Sequence, residues 1–331
     1  MNLTDLTNGQ KVTIDLVAGE CSIRKTKGTP PRDYLAAVMT DGTEQIDCKM
    51  WNYDARKGVP ETGKVYTCSG TVGEYLGKKQ LTLDKFTESA DQDMTRFMPH
   101  YVAEPDVLYR QCLGIAAEIK SDTIRDITLT LYTKYQHELL VASSAKGIHH
   151  VGIGGNLAHQ YEVARIALAI GICLNSITDT QLSTDLLMAG GLIHDIGKCM
   201  TYEIMGATVS YTRCGMMQDH VVLGLRMFDA ALNGTELYYT PEADALRHII
   251  LSHHGELEYG SPVVPLFMEA MIVNRADGIS ATWDTLRQAN KKAESEGKAY
   301  TDKIFTSHNR EHILQRDILK AAQEVDKWRM E

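Results

Sequence analysis

Gly190-Gly191-Leu192-Ile193-His194-Asp195-Ile196-Gly197-Lys198 joins an apolar run to a vicinal His-Asp pair. Such a pair is costly to bury on an apolar background unless something binds the two side chains together, and a divalent metal ion would do so. An isolated His-Asp is commoner as a satisfied core histidine beside a capping aspartate, so the surrounding chain must decide.

From His149 onward, apolar spacing predicts helices over 156–173, 182–195, 218–231, 242–254 and 265–281. Each places one candidate ligand on its apolar stripe by the i, i+3, i+4 rule: His159 with Val163, Ile166 and Ile170; His194 with Leu187; His220 with Leu223 and Met227; His253 with Leu246 and Ile250; Asp277 with Ala270 and Val273. Gly190 and Gly191 would let a neighbouring helix approach closely. One buried histidine has a dull explanation; five inward His/Asp residues with no Lys or Arg on their stripes converge most economically on metal. A mixed His/Asp set without thiolates suits manganese, iron(II), nickel or zinc.

Residues 11–86 read differently. Ile46, Cys48 and Met50 alternate with Asp47, Lys49 and Trp51, and Asp41-Gly42 and Leu76-Gly77 mark turns. Five strands, 11–24, 34–40, 44–52, 64–73 and 79–86, match the count of an oligonucleotide-binding (OB) barrel. Basic and aromatic residues interleave near its loops and exposed faces: Arg24, Lys25, Lys27, Arg32, Tyr34, Trp51, Tyr53, Tyr75, Lys78 and Lys79. That mix suits single-stranded RNA or DNA, with cations along phosphates and rings on bases.

Two connecting helices are predicted within 92–146, and a helix at 309–328 is expected in the charged tail, where packing on a second subunit would make a homo-oligomer. The domain reading is therefore 1–90 barrel, 91–146 helical connector and 147–331 helical domain with its tail, a multidomain α and β chain. A length of 331 residues fits two domains. The net charge of −9 arises after residue 86, since the first 86 residues hold 12 Lys/Arg against 11 Asp/Glu. Seven scattered cysteines without a Cys-x-x-Cys argue against a disulfide framework or thiolate zinc site and fit a reducing cytoplasm. Neither a signal peptide nor a membrane span is expected.

The order His159, His194-Asp195, His220, His253-His254, Asp277 resembles the HD-domain metal-dependent phosphohydrolases, an all-helical superfamily. The stretches His149-His150-Val151-Gly152-Ile153-Gly154-Gly155, Leu192 to Lys198 and Leu251 to Pro262 are similar to the YhaM-type 3′→5′ exoribonucleases, as are Lys49-Met50-Trp51-Asn52 and Tyr75 to Leu81 of the barrel. Those proteins also carry an amino-terminal OB domain.

The resemblance implies a primary metal site of His159, His194, Asp195 and Asp277, with His220 and His253 on a second ion and Asp195 bridging. One or two divalent ions are implied, manganese first, with iron, nickel, zinc, cobalt and magnesium as alternatives. The expected reaction is hydrolysis of single-stranded RNA, and of DNA as a second substrate, to 5′-nucleotides. In it Asp195 or Asp277 would orient water. Lys198, His150, His220 or His254 would contact the phosphate or protonate the leaving oxygen. Alternatives are a phosphohydrolase of cyclic or free nucleotides with a regulatory barrel, and a nucleic-acid-binding accessory protein with a weakened site. The family pattern Gly-Gly-Leu-Leu-Glu-His-Thr departs here to Gly154-Gly155-Asn156-Leu157-Ala158-His159-Gln160, so a carboxylate and a hydroxyl are missing beside His159.

Overall fold

Alternation along the first 88 residues becomes a closed barrel. In the computed structural model, which describes residues 2–42, 44–75, 77–97, 100–102, 104–205, 208–305 and 311–312, the strands are β1 (Lys11–Lys25), β2 (Asp33–Thr40), β3 (Gln45–Met50), β4 (Val65–Tyr75) and β5 (Lys78–Glu88). Their order is β1-β2-β3-β5-β4. All five predicted strands are present, with ends shifted by one or two residues. β1 serves two partners: Lys11–Val17 pairs with β4, and Val17–Lys25 pairs with β2 across a bulge between Ala18 and Cys21. Ala37, Met39, Ile46 and Cys48 enter the core with Leu16 and Leu81, so the opposite register of β2 and β3 faces outward.

The chain divides into two compact units, residues 1–101 with 202–212, and residues 102–201 with 213–331. The second unit is built from α1 (Pro105–Ala117), α2 (Asp122–Lys134), α3 (Gln136–Val141), α4 (Gly155–Ile177), α5 (Thr184–Ile193), the single turn α6 (Lys198–Thr201), α7 (Arg213–Leu232), α8 (Pro241–Ser252) and α9 (Met268–Ser295). Three helices stand where two were expected, because Tyr135 (φ −111°, ψ 26°) breaks the run between α2 and α3. An unexpected hairpin of β6 (Tyr202–Met205) and β7 (Thr208–Tyr211) interrupts the helical region. The expected helix at 309–328 lies outside the described residues.

Close approach of α5 to α4 explains the paired glycines. A Cβ on Gly191 would fall 2.4 Å from Ala164 Cα, and one on Gly190 would meet Ile249 of α8 and Val273 of α9. α5 is thus enclosed by α4, α8 and α9, with Leu187, Leu192 and Ile193 fully buried. Helix α4 is, against expectation, long and apolar enough to cross a membrane by length and composition alone. Its buried Asn156, His159 and Gln160 mark it as a core helix.

Candidate metal centre and strand-binding face

The two ligand dipeptides sit at helix ends, where the expected helices 182–195 and 242–254 stop short. α5 ends at Ile193 and α8 at Ser252; His194 and His253 cap them with helical dihedrals, and Asp195 and His254 lie in the following turns. A helix C-terminus leaves its last carbonyls without backbone donors. The rings use them: His194 Nδ1–H donates to Gly191 O at 2.9 Å and His253 Nδ1–H to Ile250 O at 2.8 Å. His254 Nδ1–H likewise donates to Tyr259 O at 2.9 Å. Each bond fixes the tautomer that leaves Nε2 as a lone pair facing the site.

Asp195 stands between two clusters. Its Oδ2 lies 3.3 Å from His159 Nε2 and 3.4 Å from His194 Nε2, while Oδ1 lies 3.5 Å from His220 Nε2 and 3.4 Å from His253 Nε2. Asp277 Oδ1 joins the first cluster, 3.0 Å from His159 Nε2. His254 Nε2 joins the second, 3.1 Å from His220 Nε2. Two groupings that could hold a metal ion are therefore His159, His194, Asp277 and His220, His253, His254. His254, expected as a catalytic contact and as the weaker ligand candidate of its pair, falls among the candidate ligands, because the turn after α8 brings it beside His220 and His253.

Among the described residues, Asp195 Oδ1 and His253 Nε2 are buried without a hydrogen-bond partner, whereas Asp195 Oδ2 is met by the Lys198 ammonium. An N/O donor set with orphaned inward atoms and no thiolate fits a divalent ion. Burial opposes ionisation of Asp195, but Lys198 and the His194 ring hold its carboxyl well below the usual range. Asp277 is likewise depressed against its burial, by His159. Burial pushes His220, His253 and His254 down, keeping them in the neutral form that ligates metal. His159 is the exception: burial lowers it, but hydrogen bonds to Asp195 and Asp277 win and move it up.

The other predicted residues fall in varied places. Lys198 is buried, its Nζ 2.5 Å from Asp195 Oδ2 and 3.3 Å from Ser144 Oγ. His150 is fully buried with Nε2 3.1 Å from Glu162 Oε2, and its backbone N–H donates to Asp284 Oδ2 at 2.7 Å. Gln160 accepts from Tyr132 Oη at 2.7 Å, so the position where a hydroxyl was missing serves packing.

Several functional candidates escaped the sequence reading. His149 groups with His150 and His159, and burial pushes it down to about 2. Asp219 has its carboxylate on the ring of His220 at a left-handed backbone position (φ 61°), a break inside α7 that no helical pattern reveals. Glu162 and Ser280 lie three residues beyond His159 and Asp277, a spacing that would have found them.

On the barrel, Tyr34 and Trp51 rings lie 4.9 Å apart, as expected from continuing the Leu35–Met50 register by one step. Lys49, missed although it precedes Trp51 by two, sits 4.9 Å over the exposed Tyr75 ring and 5.6 Å over Trp51. A cleft of about 210 Å³ beside them is lined by Arg24, Lys49, Tyr75 and Gln80 among others. Arg24, Lys25, Lys27, Arg32 and Lys78 are exposed. One expected contact is corrected, and a second, still exposed, is found hydrogen-bonded within the chain. Tyr53 is buried with its ring 6.1 Å from Phe86, against which it packs rather than facing solvent. Lys79 Nζ donates to the Leu3 and Thr4 carbonyls at 3.1 and 2.9 Å, satisfying the amino-terminal turn.

These two sites define a class. The chain carries an OB-fold nucleic acid binding domain, whose family model matches residues 17–88, followed by an HD domain, whose model matches residues 156–282. The 3′-5′ exoribonuclease YhaM of Oceanobacillus iheyensis is 29% identical over 299 residues, covering 86% of this chain and 89% of its own. A domain of replication protein A from Methanococcus maripaludis is 17% identical over 27% of this chain and 92% of its own, at a TM-score of 0.23, too slight a likeness to argue from.

Proposed function

We propose that the chain is a metal-dependent 3′→5′ exonuclease that hydrolyses single-stranded RNA, and DNA as a second substrate, to 5′-nucleotides. The observation that carries this is the placement of Asp195, one oxygen toward each histidine cluster. The likeness, over 86% of this chain, to a protein named as a 3′-5′ exoribonuclease supports the substrate class.

His159, His194, Asp195 and Asp277 would hold one ion, and His220, His253 and His254 a second, with Asp195 shared. When bound, divalent ions supply a nucleophile at neutral pH and neutralise phosphoryl charge; manganese is our first choice. The chain's own groups do the rest. The backbone carbonyls behind His194, His253 and His254 keep three rings aimed. Asn156 Nδ2, donating to Asp195 O at 3.2 Å, fixes the turn that carries the shared carboxylate. Lys198, between Asp195 and Ser144, offers an ammonium to a phosphoryl oxygen.

Residues 1–90 would hold the strand, 91–146 connect, and 147–331 hydrolyse. Tethering raises the local concentration of a held 3′ end without any new contact. Trp51 and Tyr34 offer stacking surfaces, and Lys49, Arg24, Lys25, Lys27, Arg32 and Lys78 follow phosphates. Seven free thiols suit a reducing cytoplasm.

Incubating 5′-end-labelled RNA with the chain and Mn²⁺ tests the reading. Stepwise shortening from the 3′ end, lost in Asp195→Ala, is expected. Intact RNA, or undiminished activity in the variant, overturns it.

A further inference from the structure

The carboxylate and hydroxyl absent from positions 158 and 160 are present nearby, in another arrangement. Glu162 lies one turn beyond His159 on α4, and Ser280 one turn beyond Asp277 on α9. Ser280 Oγ–H donates to Glu162 Oε2 at 2.8 Å, and Ser280 Oγ lies 3.0 Å from His159 Nδ1. His150 Nε2 approaches the same Glu162 oxygen at 3.1 Å.

The direction of this chain of bonds is forced. An ionised carboxylate only accepts, so the single Ser280 proton goes to Glu162. What remains on Ser280 is a lone pair, which must accept from His159 Nδ1–H. His159 is thereby held as the tautomer whose Nε2 faces Asp195 and Asp277.

His194, His253 and His254 rest on neutral carbonyls. His159 and His220 rest on carboxylates, through Ser280 to Glu162 and directly on Asp219. One anion-backed ring thus stands in each cluster. A donor N–H placed on an anionic acceptor makes the opposite nitrogen a stronger ligand.

We infer that Glu162, acting through the Ser280 hydroxyl and held by His150, is a positioning residue that sets the orientation and donor strength of His159 toward the ion of the first cluster. His150 then belongs to this support rather than to proton transfer. The inference rests on the metal-site reading above.

Titrating the metal-free full-length chain with Mn²⁺ and following free Mn²⁺ by electron paramagnetic resonance tests it. Glu162→Gln keeps an acceptor for Ser280 and loses only the charge. It should weaken the first cluster's ion by about 10–100-fold while leaving the melting temperature of the metal-free chain unchanged. Ser280→Ala should weaken it similarly, and Ser280→Thr should restore it. Wild-type affinity in both Glu162→Gln and Ser280→Ala overturns the inference while the metal site stands. A wild-type chain that takes up no Mn²⁺ overturns both, and Asp277→Ala, expected to abolish first-cluster binding, separates the two cases.

Discussion

Lys198 Nζ lies 2.5 Å from Asp195 Oδ2, with both side chains buried. The same oxygen faces His159 and His194, so the ammonium neutralises the carboxylate that a metal ion would share. Removing one partner of a buried ion pair leaves an uncompensated charge, at a cost of about 3–5 kcal/mol. Lys198→Met should therefore lower the melting temperature of the metal-free chain, and added Mn²⁺ should raise it more than in wild type. Equal melting curves without metal would remove the lysine from this role.

Gly197 carries the turn after the His-Asp pair against the start of the regular part of α7. A Cβ there would sit 1.9 Å from His220 O and 2.4 Å from Gly224 N, backbone atoms that cannot rotate aside. Gly197→Ala should cost about 3 kcal/mol or more, above the usual overpacking range because backbone must move. Gly224→Ala, whose Cβ would meet nothing closer than 3.3 Å, should cost far less. Urea denaturation of the two variants compares them directly.

The barrel and the ligand helices were legible because both depend on periodicity. Ile46 and Cys48 alternate into the core, and His159, His220 and Asp277 each ride an apolar stripe. What periodicity cannot carry was not legible. His194-Asp195 and His253-His254 lie beyond the helix ends, where turn geometry and free carbonyls, not stripe position, set where the rings point. Asp219 sits at a strained backbone position inside an otherwise helical run. Tyr53 and Trp51 are two apart, yet one is buried and the other stays 44% exposed, because Asn52 (φ 54°) turns the chain between them.

His248 gives a pH dependence outside the metal centre. Leu266 N–H donates to its Nε2 at 3.0 Å, so the folded chain requires a neutral ring, and burial pushes the pKa below the ordinary value near 6.5. Above pH 6.5 both folded and unfolded chains hold the ring neutral and nothing changes. Below it the unfolded chain takes a proton that the folded chain resists, so stability falls as pH drops below 6.5 until the folded ring is protonated too. His248→Gln should flatten this decline by at most about 1.4 kcal/mol per pH unit, less because the ring is part-exposed and screened. Denaturant midpoints of the metal-free variant and wild type across that range measure it.

Trp51 and Lys49 divide strand binding into two measurable parts. The Trp51 ring is half-exposed beside Tyr34, so Trp51→Ala should weaken single-stranded RNA binding by about 1–3 kcal/mol at every salt concentration. Lys49 carries charge, and loss of one phosphate contact should reduce the slope of log affinity against log salt by about 0.7. Tyr53→Phe should change neither, since that ring is buried against Phe86. Fluorescence anisotropy with the full-length chain carrying Asp195→Asn, which should hold RNA without degrading it, reads both quantities. If Trp51→Ala changed the slope and Lys49→Ala did not, stacking and phosphate contacts would have to be reassigned between β3 and the neighbouring Tyr75, whose ring lies under the same ammonium.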